Sequence, residues 1–246
     1  MYEKLKKLAI LLVPKKLLER YEGFFRKLIS YKYRGQKYCC NICDFNLKDF
    51  AVLSNGNKLC PNCGSLPRTR RLFSIIDSEY SFKNKTVLHF SPSKAMACKL
   101  RELKAKEYVT TDFEGEFLAD EKIDITQINK KDNSFDLIIC YHVLEHIKDD
   151  DSAISELYRV LREGGKCFIQ TPFKSGEIFE NDLIQTPEDR LLHFGQNDHV
   201  RIYSVEGLID RLSKVGFKVD RREFNSVADN HKGLKQNETV LIAQKE

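Results

Sequence analysis

The residues with the most recognisable chemistry are two pairs of cysteines. Cys40 and Cys43, followed by Cys60 and Cys63, form two CxxC pairs separated by sixteen residues. Each pair makes a tight turn that aims two thiolates at one point, and two such turns complete a tetrahedral site of four sulfurs. We therefore predict a zinc ion here. Because four thiolates leave no position for a water, the zinc is expected to be structural, holding together a module too small to fold on its own core.

The distribution of the other cysteines indicates the redox environment. Five of the eight cysteines lie within 25 consecutive residues, and Cys140 and Cys167 fall on predicted buried strands. The apolar stretch from Leu8 to Val13 is short for a secretory signal and lacks a small-residue cleavage site. We therefore expect a metal site in a reducing, cytoplasmic environment rather than disulfides. Cys39 adjoins Cys40 and could replace it as a ligand, so the choice of Cys40 depends on the CxxC spacing.

A second group of chemically active residues lies in the C-terminal half. His142, Glu145 and His146 occur within five residues, and Asp198 and His199 follow further along the chain. A neutral imidazole can accept a hydroxyl proton near pH 7, so His142 and His199 are the candidates for a catalytic base. The alternative for the later segment is a surface loop stabilised by its own hydrogen bonds.

The residues around the first of these histidines predict the elements that position it. Phe135 to Cys140 is a short apolar run, typical of a parallel strand buried on both faces. A helix is predicted next, with Asp151 or Ser152 as its N-cap and Gly164-Gly165 as its stop, and Lys166 to Thr171 alternates as a second strand. This βαβ pattern would place the histidine at the carboxyl edge of a parallel sheet, where ligands bind in open α/β folds.

The same stretch resembles a known family. The strings FDLIICYHVLEHI and ELYRVLREGG are similar to the segment after the fourth strand of class I S-adenosylmethionine (SAM) methyltransferases of the type 11 kind. The resemblance implies a Rossmann-like, seven-stranded α/β sheet with SAM as cofactor. Our hypothesis is methyl transfer to an oxygen or nitrogen of a small metabolite or cell-envelope sugar, with His142 or His199 as the base. The alternative is a doubly wound fold with some other ligand.

The resemblance also implies which residues hold the cofactor. Thr86 to Phe90 corresponds to the first strand, and Asp112 ends the second, where a carboxylate bonds the ribose hydroxyls. Asp124 and Ile125 correspond to the adenine contacts, with Asp120 as a competing candidate. The remaining expected cofactor contacts come from the ends of the first and fourth strands: Phe90, Ser91 and Tyr141.

The turn after the first strand departs from the family's pattern. The family usually has a glycine-rich turn there, whereas this chain has no glycine from Ser91 to Ala97. Ser91 as an N-cap and Pro92 as the first helical residue would leave free backbone N–H groups for the cofactor's carboxylate. A non-catalytic binding module that has lost the cofactor is therefore a further alternative.

The resemblance gives little support for a second metal. In some related ubiquinone-pathway O-methyltransferases, a segment similar to residues 142–146 binds a divalent ion, but with a glutamate at the position of His142. We expect His146 to be a helix-packing residue instead.

Positive charge is concentrated at the N-terminus. The whole chain carries a net charge of +5, whereas residues 1–38 hold eleven Lys/Arg against three Glu, a net +8. Leucines and aromatic residues recur at helical spacing, so residues 1–37 are predicted as a basic amphipathic helical segment. Such a segment could meet nucleic acid, an anionic membrane surface as a peripheral contact, or an acidic partner, or it could be a solvated helix face.

Three regions are thus predicted: the basic segment at 1–37, a zinc ribbon at 38–71 and the methyltransferase domain at 72–246. Arg68, Arg70 and Arg71 end the ribbon, where they could contact RNA phosphates, although we favour positions at a helix start that face solvent or the acidic domain behind them. A ribosomal or transfer RNA is accordingly the alternative acceptor to a small molecule or glycan. No apolar run approaches the roughly 18 residues that a membrane span requires.

Overall fold

The computed structural model describes residues 15–246, which divide into two compact units. The first unit comprises the chain up to Ser81 together with residues 93–102 and 225–237, and the second comprises residues 82–92, 103–224 and 238–246. The region boundaries given above stay predictions, and the compact units do not follow them, because two later segments join the N-terminal unit. The part of the predicted basic segment before residue 15 lies outside the described residues.

In its described part, the first unit combines three α-helices with two small antiparallel ribbons. Strands β1 and β2 pair with each other, as do β3 and β4. The second helix begins with a proline, whose missing N–H costs nothing at a helix start. The elements are α1 (Lys15–Ser30), β1 (Arg34–Cys39), β2 (Asn46–Leu47), β3 (Ala51–Val52), β4 (Lys58–Leu59), α2 (Pro67–Glu79) and α3 (Lys94–Glu102).

The second unit consists of eight strands and three α-helices, with the helices flanking a central sheet. Its strands are β5 (Thr86–Phe90), β6 (Glu107–Thr111), β7 (Phe135–Tyr141), β8 (Leu161–Gln170), β9 (Phe179–Glu180), β10 (Arg201–Ile202), β11 (Phe217–Phe224) and β12 (Glu238–Lys245). Its helices are α4 (Asp150–Val160), α5 (Pro187–Phe194) and α6 (Val205–Val215).

The central sheet has the order β11-β12-β8-β7-β5-β6. Strands β8, β7, β5 and β6 are parallel, and the hairpin of β11 and β12 closes the sheet in antiparallel pairing. The predicted Rossmann-like α/β class is confirmed. Within residues 15–246 the sheet has six strands rather than the predicted seven, and after β6 only one isolated parallel bridge, Thr111 with Glu121, forms.

Several predicted elements are confirmed, including the residues at which they begin or end. All five residues of β5 are buried, as a central parallel strand requires. Strand β7 covers the apolar run from Phe135. The sequence also predicts a last helix from Val205 to Val215 with Gly216 as its stop, and α6 has these bounds. Gly216 ends α6 in the left-handed conformation that glycine adopts without strain.

Both ends of α4 differ from the prediction. The Asp149 carboxylate accepts the Ser152 N–H, so Asp149 is the N-cap in place of Asp151 or Ser152. The helix ends at Val160, well before Gly164-Gly165, because Leu161 already pairs with β7 in the sheet. These glycines therefore lie within β8 rather than at a helix end.

Among the described residues, no helix has both the length and the apolar character needed to cross a membrane.

Candidate active site and cysteine centre

A cavity of about 550 Å³ opens at the carboxyl edge of the sheet, a size typical of small-ligand sites. It is lined by residues that follow three neighbouring parallel strands: Ser91 after β5, Asp112 after β6, and His142 after β7. This is the position at which open α/β sheets bind ligands. Of the expected cofactor residues, the cavity is lined by Phe90, Ser91, Asp112, Asp124 and Ile125, whereas Tyr141 is buried at the end of β7 and is absent from the lining.

Asp112 is the buried carboxylate of this cavity. One of its oxygens accepts the Ser91 hydroxyl at 2.8 Å, and the other accepts the Phe117 N–H at 3.1 Å. A carboxylate offers about four lone-pair positions, so further acceptor capacity remains on each oxygen for ligand hydroxyls. The competing candidate, Asp120, is occupied elsewhere, because it accepts the N–H and hydroxyl of Thr110 at 3.0 and 2.7 Å and does not line the cavity.

The wall beyond Asp112 is mainly apolar. Ile123 and Ile125 are buried and line the cavity on either side of Asp124. One oxygen of Asp124 accepts both the N–H and the hydroxyl of Thr126, at 2.8 and 2.7 Å, which fixes the carboxylate. An apolar wall with one held carboxylate suits a ring that carries an amino group.

The turn after β5 is built differently from the prediction. Helix α3 begins at Lys94, and the Ser93 hydroxyl accepts the Met96 N–H at 3.4 Å, so Ser91 is not the N-cap and Pro92 is not helical. Ser91 instead has a φ of 45°, in the left-handed region that costs an L-residue about 1–2 kcal/mol. Ser91 thus takes the backbone conformation for which glycine is usually selected, and its hydroxyl holds Asp112.

His142 shares this unusual backbone conformation. Its φ is 56°, and its N–H donates to the Gln170 carbonyl at 2.8 Å, next to the end of β8. Its Nδ1 lies 3.1 Å from Glu145 Oε1, and its ring lines the cavity. Left-handed residues therefore follow two adjacent strands at one edge, a form of backbone strain that clusters at functional sites.

Glu145 is a buried carboxylate with an incomplete set of partners. Only 1% of the residue is exposed, and its Oε2 has no hydrogen-bond partner in the described part of the chain. Burial by itself would raise the pKa of Glu145, but the hydrogen bond and charge of His142 and the charge of His146 outweigh it, so the pKa lies below its usual value. The group is therefore held as a carboxylate.

His146 and His199 lie beside this carboxylate. Their rings are perpendicular with centroids 4.7 Å apart, and His146 Nδ1 lies 3.1 Å from Asp198 Oδ2. His146 lines the cavity and is not the helix-packing residue that was expected. His199 is buried behind it and does not line the cavity; burial lowers its pKa against the opposing charges of Glu145 and Asp198.

The Arg201 side chain, which follows these residues in the chain, forms hydrogen bonds and ion pairs within the protein. Its guanidinium donates to the carbonyls of Ile147 and Lys148 and forms an ion pair with Glu180 at 2.7 Å. It also pairs with Asp150 at 3.3 Å. Arg201 therefore fixes the 144–148 segment against β10, which holds His146 and His199 together.

The four predicted zinc ligands converge in the first unit. The Sγ atoms of Cys40 and Cys63 are 3.7 Å apart, those of Cys43 and Cys60 are 3.8 Å apart, and all four lie within 4.8 Å of one another. Zinc–sulfur bonds of about 2.3 Å in a tetrahedron place the sulfurs about 3.8 Å apart, so the spacing fits this ion. Cys39 is outside the group.

The two CxxC turns have the same backbone pattern. In each, the first cysteine's N–H donates to the carbonyl five residues on, Phe45 or Ser65, and its own carbonyl accepts an N–H four residues on. Those fourth residues, Asp44 and Gly64, both have a positive φ, of 54° and 81°. The spacing predicted the ligands, and this repetition of one turn explains how they come to face a common point.

Arg70 was expected to face solvent or the acidic domain behind it, and the structure corrects that prediction. It is completely buried, and its guanidinium donates to the carbonyls of Lys58, Ser65, Lys232 and Gly233. Its charge lies over the ring of Phe50 at 4.2 Å. Nothing in the local sequence signals this, because two of the acceptors are more than 160 positions away, at separations of 162 and 163 residues.

Comparison with known proteins agrees with this geometry. Residues 71–169 match the family model described as "Methyltransferase domain". The chain is 28% identical to a demethylmenaquinone methyltransferase of Streptomyces avermitilis over 130 residues, which cover 46% of this chain and 55% of that protein. It is also 28% identical to a sterol 24-C-methyltransferase of Kluyveromyces lactis over 130 residues, 52% of this chain and 33% of that protein.

Solved structures show the same fold. A SAM-dependent methyltransferase from Mesorhizobium loti superposes with a TM-score of 0.53 at 13% identity, covering 70% of this chain and 96% of the other. Residues 71–169 are therefore similar to the methyltransferase domain family, and the chain has the fold of SAM-dependent class I methyltransferases. The matched region spans about half the length of the first curated relative and a third of the second.

Proposed function

We propose that the protein is a SAM-dependent methyltransferase that methylates an oxygen or nitrogen of a small metabolite or cell-envelope sugar. The observation that carries the proposal is Asp112, a buried carboxylate with spare acceptor capacity at the end of β6, in a cavity of suitable size. Phe90 and Ser91 would contact the cofactor beside it, and Asp124 and Ile125 would hold the adenine. Tyr141 would contribute through its position in β7 rather than by lining the cavity.

Bound SAM would supply an electrophilic methyl group on a sulfonium. An acceptor held in the cavity would take up this methyl group and give up its proton to a base of the protein. We propose His142 as that base, because it lines the cavity and is oriented by Glu145. His199 was the other candidate; its buried position behind His146 gives it less support as a proton acceptor.

The cofactor assignment is tested by calorimetry with SAM and S-adenosylhomocysteine on the full-length, zinc-loaded protein. We expect micromolar binding that Asp112→Ala abolishes, because the ribose hydroxyls lose their acceptor. Asp120→Asn is the matched control and should leave the affinity unchanged. Absence of binding to the parent protein would favour the alternative of a binding module that has lost its cofactor.

The base is tested separately from the cofactor. His142→Ala should reduce turnover of an identified acceptor by roughly 100-fold or more, while S-adenosylhomocysteine binding persists. His193→Ala, which changes an exposed histidine on α5, is the control. Full activity of His142→Ala would remove the residue from the mechanism.

We also propose that Cys40, Cys43, Cys60 and Cys63 bind a structural zinc ion. The sulfur spacing and the paired turns support this, and the closed set of four thiolates argues against a role in the reaction. All eight cysteines are free, which suits a reducing environment such as the cytoplasm. Metal analysis of the purified protein should find one tightly held zinc that depends on these cysteines.

A small molecule or glycan is favoured over RNA as the acceptor. Of the three arginines that could grip phosphates, Arg70 is buried and Arg71 donates to the Lys235 carbonyl at 2.7 Å. RNA binding with a steep salt dependence would reverse this preference.

The described part of the basic segment favours a peripheral contact with an anionic membrane surface. Tyr21, Phe24, Leu28 and Tyr31 recur at helical spacing and are 45%, 59%, 59% and 74% exposed. An apolar stripe within a segment of high positive charge is typical of helices that lie on anionic bilayers. Phe24→Ser with Leu28→Ser should abolish sedimentation with phosphatidylglycerol vesicles, and binding to neither these nor phosphatidylcholine vesicles would refute the contact.

A further inference from the structure

We propose that Glu145, His146 and His199 bind a divalent transition-metal ion at one wall of the cavity. One ligand atom from each of the three side chains lies within 4.8 Å of the other two. The set is distinct from the four-cysteine centre in both its donors and its position in the chain. Only the ion's role in catalysis rests on the proposed methyl transfer, since binding of the ion does not require it.

The backbone holds these ligands in place without a metal. Glu145 and His146 lie on one short 3-10 turn, Leu144–His146, which presents consecutive side chains. The Glu145 carbonyl accepts the Val200 N–H at 2.9 Å, which ties this turn to the segment that carries His199. Ligands from two parts of the chain are therefore fixed on a common frame.

The buried Glu145 carboxylate, with one oxygen lacking a hydrogen-bond partner among the described residues, is the observation that indicates a bound ion. The carboxylate is buried to 1% exposure; His142 takes one oxygen, and Oε2 has no hydrogen-bond partner among the described residues. Buried carboxylates in proteins are normally paired, hydrogen-bonded or coordinated to a metal. A metal ion beside Oε2 would satisfy the remaining oxygen.

The surrounding contacts are those expected of metal ligands. Asp198 lies 3.1 Å from His146 Nδ1, which leaves Nε2 of that ring for the ion, and His142 orients the Glu145 carboxylate. Histidine ligands usually have their second nitrogen held by a carboxylate or carbonyl in this way. His142 therefore positions the Glu145 carboxylate and is not itself a proposed ligand. His199 lies in a segment where the sequence showed no metal-binding motif.

The donors determine the kind of ion. Two imidazoles and one carboxylate favour Zn2+, Fe2+, Co2+ or Ni2+ over Mg2+ and Ca2+, which prefer oxygen. Three protein ligands leave coordination positions open, and His146 lines the cavity. An acceptor hydroxyl bound there would have its pKa lowered by the ion, which would ease removal of its proton.

The experiment uses the full-length chain with zinc already bound at the cysteines. Co2+ is titrated by calorimetry and followed by absorption spectroscopy. We expect one additional Co2+ per chain with weak d–d bands and no thiolate charge-transfer band. Glu145→Gln and His199→Gln should each weaken this binding at least about ten-fold, whereas His193→Gln should leave it unchanged. Mg2+ should not compete.

Two controls keep the result interpretable. S-adenosylhomocysteine binding reports that each variant is folded, and it also reports separately on the proposed methyltransferase function. No Co2+ binding by a parent protein that binds S-adenosylhomocysteine would overturn the metal site, as would binding that both glutamine variants retain in full. Metal binding without cofactor binding would leave this site standing while removing the proposed function.

Discussion

The sulfurs of the cysteine centre and the carboxylate at the cavity edge differ in their hydrogen-bond partners. Around the cysteines, side chains supply partners to the sulfurs: the Ser65 hydroxyl lies 3.3 Å from Cys40 and 3.2 Å from Cys63, and Asn62 donates to Cys43 at 3.4 Å. At the cavity edge, oxygens of Glu145, Gln170 and Thr171 are buried with no partner among the described residues.

This difference separates a site that stabilises the fold from one that is available for ligands. Buried polar groups with a full set of partners make a local structure rigid, whereas unsatisfied groups cost free energy and persist where they have a function. Substitutions in the first region should therefore change folding, and substitutions in the second should change binding with little change in stability. The predictions below test this contrast, beginning with the largest expected effect.

Replacement of one of the four proposed zinc ligands should unfold the cysteine module. Cys60→Ser removes a buried thiolate, and zinc binding contributes about 10–16 kcal/mol to folding in small zinc modules. We expect loss of the bound zinc and rapid proteolysis within residues 34–66, measured by metal analysis and limited digestion. Cys39→Ser is the control because this neighbour lies outside the sulfur group; if it lost zinc as well, the choice of Cys40 as ligand would be wrong.

Arg70→Met should destabilise the protein by about 3–5 kcal/mol in urea denaturation with zinc present. The substitution keeps the buried volume but leaves the carbonyls of Lys58, Ser65 and Gly233 without their charged donor. Arg71→Met is the matched variant, because the Arg71 guanidinium also donates to a carbonyl but is exposed. This substitution should lower the free energy of unfolding by less than about 1 kcal/mol. Equal losses of stability in the two variants would show that the burial of Arg70 does not increase the cost of removing its hydrogen bonds.

His89 should make stability depend on pH. This histidine lies within β5, and burial lowers its pKa from 6.5 to about 3. Above pH 6.5 neither state binds the proton; between pH 6.5 and 3 the unfolded chain binds it and the folded chain does not. The free energy of unfolding should therefore fall by about 1.4 kcal/mol per pH unit as the pH decreases through this window.

Comparison of the parent protein with two variants isolates the contribution of His89 to the pH dependence of stability. His89→Gln should show a shallower decrease in the free energy of unfolding between pH 6 and pH 4 than the parent protein, and His193→Gln should behave like the parent. Identical slopes in all three proteins would mean that His89 is protonated in the folded state.

Ser91 should show the smallest effect on stability and a clear effect on binding. Ser91→Gly relieves the left-handed backbone but loses the bond to Asp112, so the free energy of unfolding should change by less than about 1 kcal/mol. Ser91→Ala keeps the strain and loses the same bond, and should be about 1 kcal/mol less stable than Ser91→Gly. Both should bind S-adenosylhomocysteine more weakly, measured by calorimetry, because Asp112 is no longer held.

Local sequence patterns predicted the elements whose boundaries are set locally. The apolar run in β7 and the Gly216 stop of α6 depend on burial and on backbone conformation at single positions, and both are confirmed. The stop of α4 was wrong because a partner strand, not the glycine pair, ends that helix at Leu161. Sheet pairing between distant residues is not visible in a local pattern.

The residues in and around the cavity also divide into those that a local sequence pattern predicts and those that it does not. The positions of Asp112 and His142 follow from strand ends, which the sequence pattern places at one edge. The approach of His199 to Glu145 depends on a hydrogen bond across more than fifty residues, from Val200, and the sequence carries no periodic signal for it. Ser91 was assigned the wrong local role because its side chain bonds a residue from the next strand rather than the following helix.

The first unit also has a consequence for biosynthesis. Its buried arginine takes acceptors from the 225–237 segment, which the ribosome adds more than 150 residues after the cysteine turns. The cysteine turns can therefore form early, but their surroundings are complete only after the 225–237 segment has been made. During that interval the nascent chain carries a cation whose final partners do not yet exist, and a premature stop before residue 232 would leave the module unfinished and open to quality control.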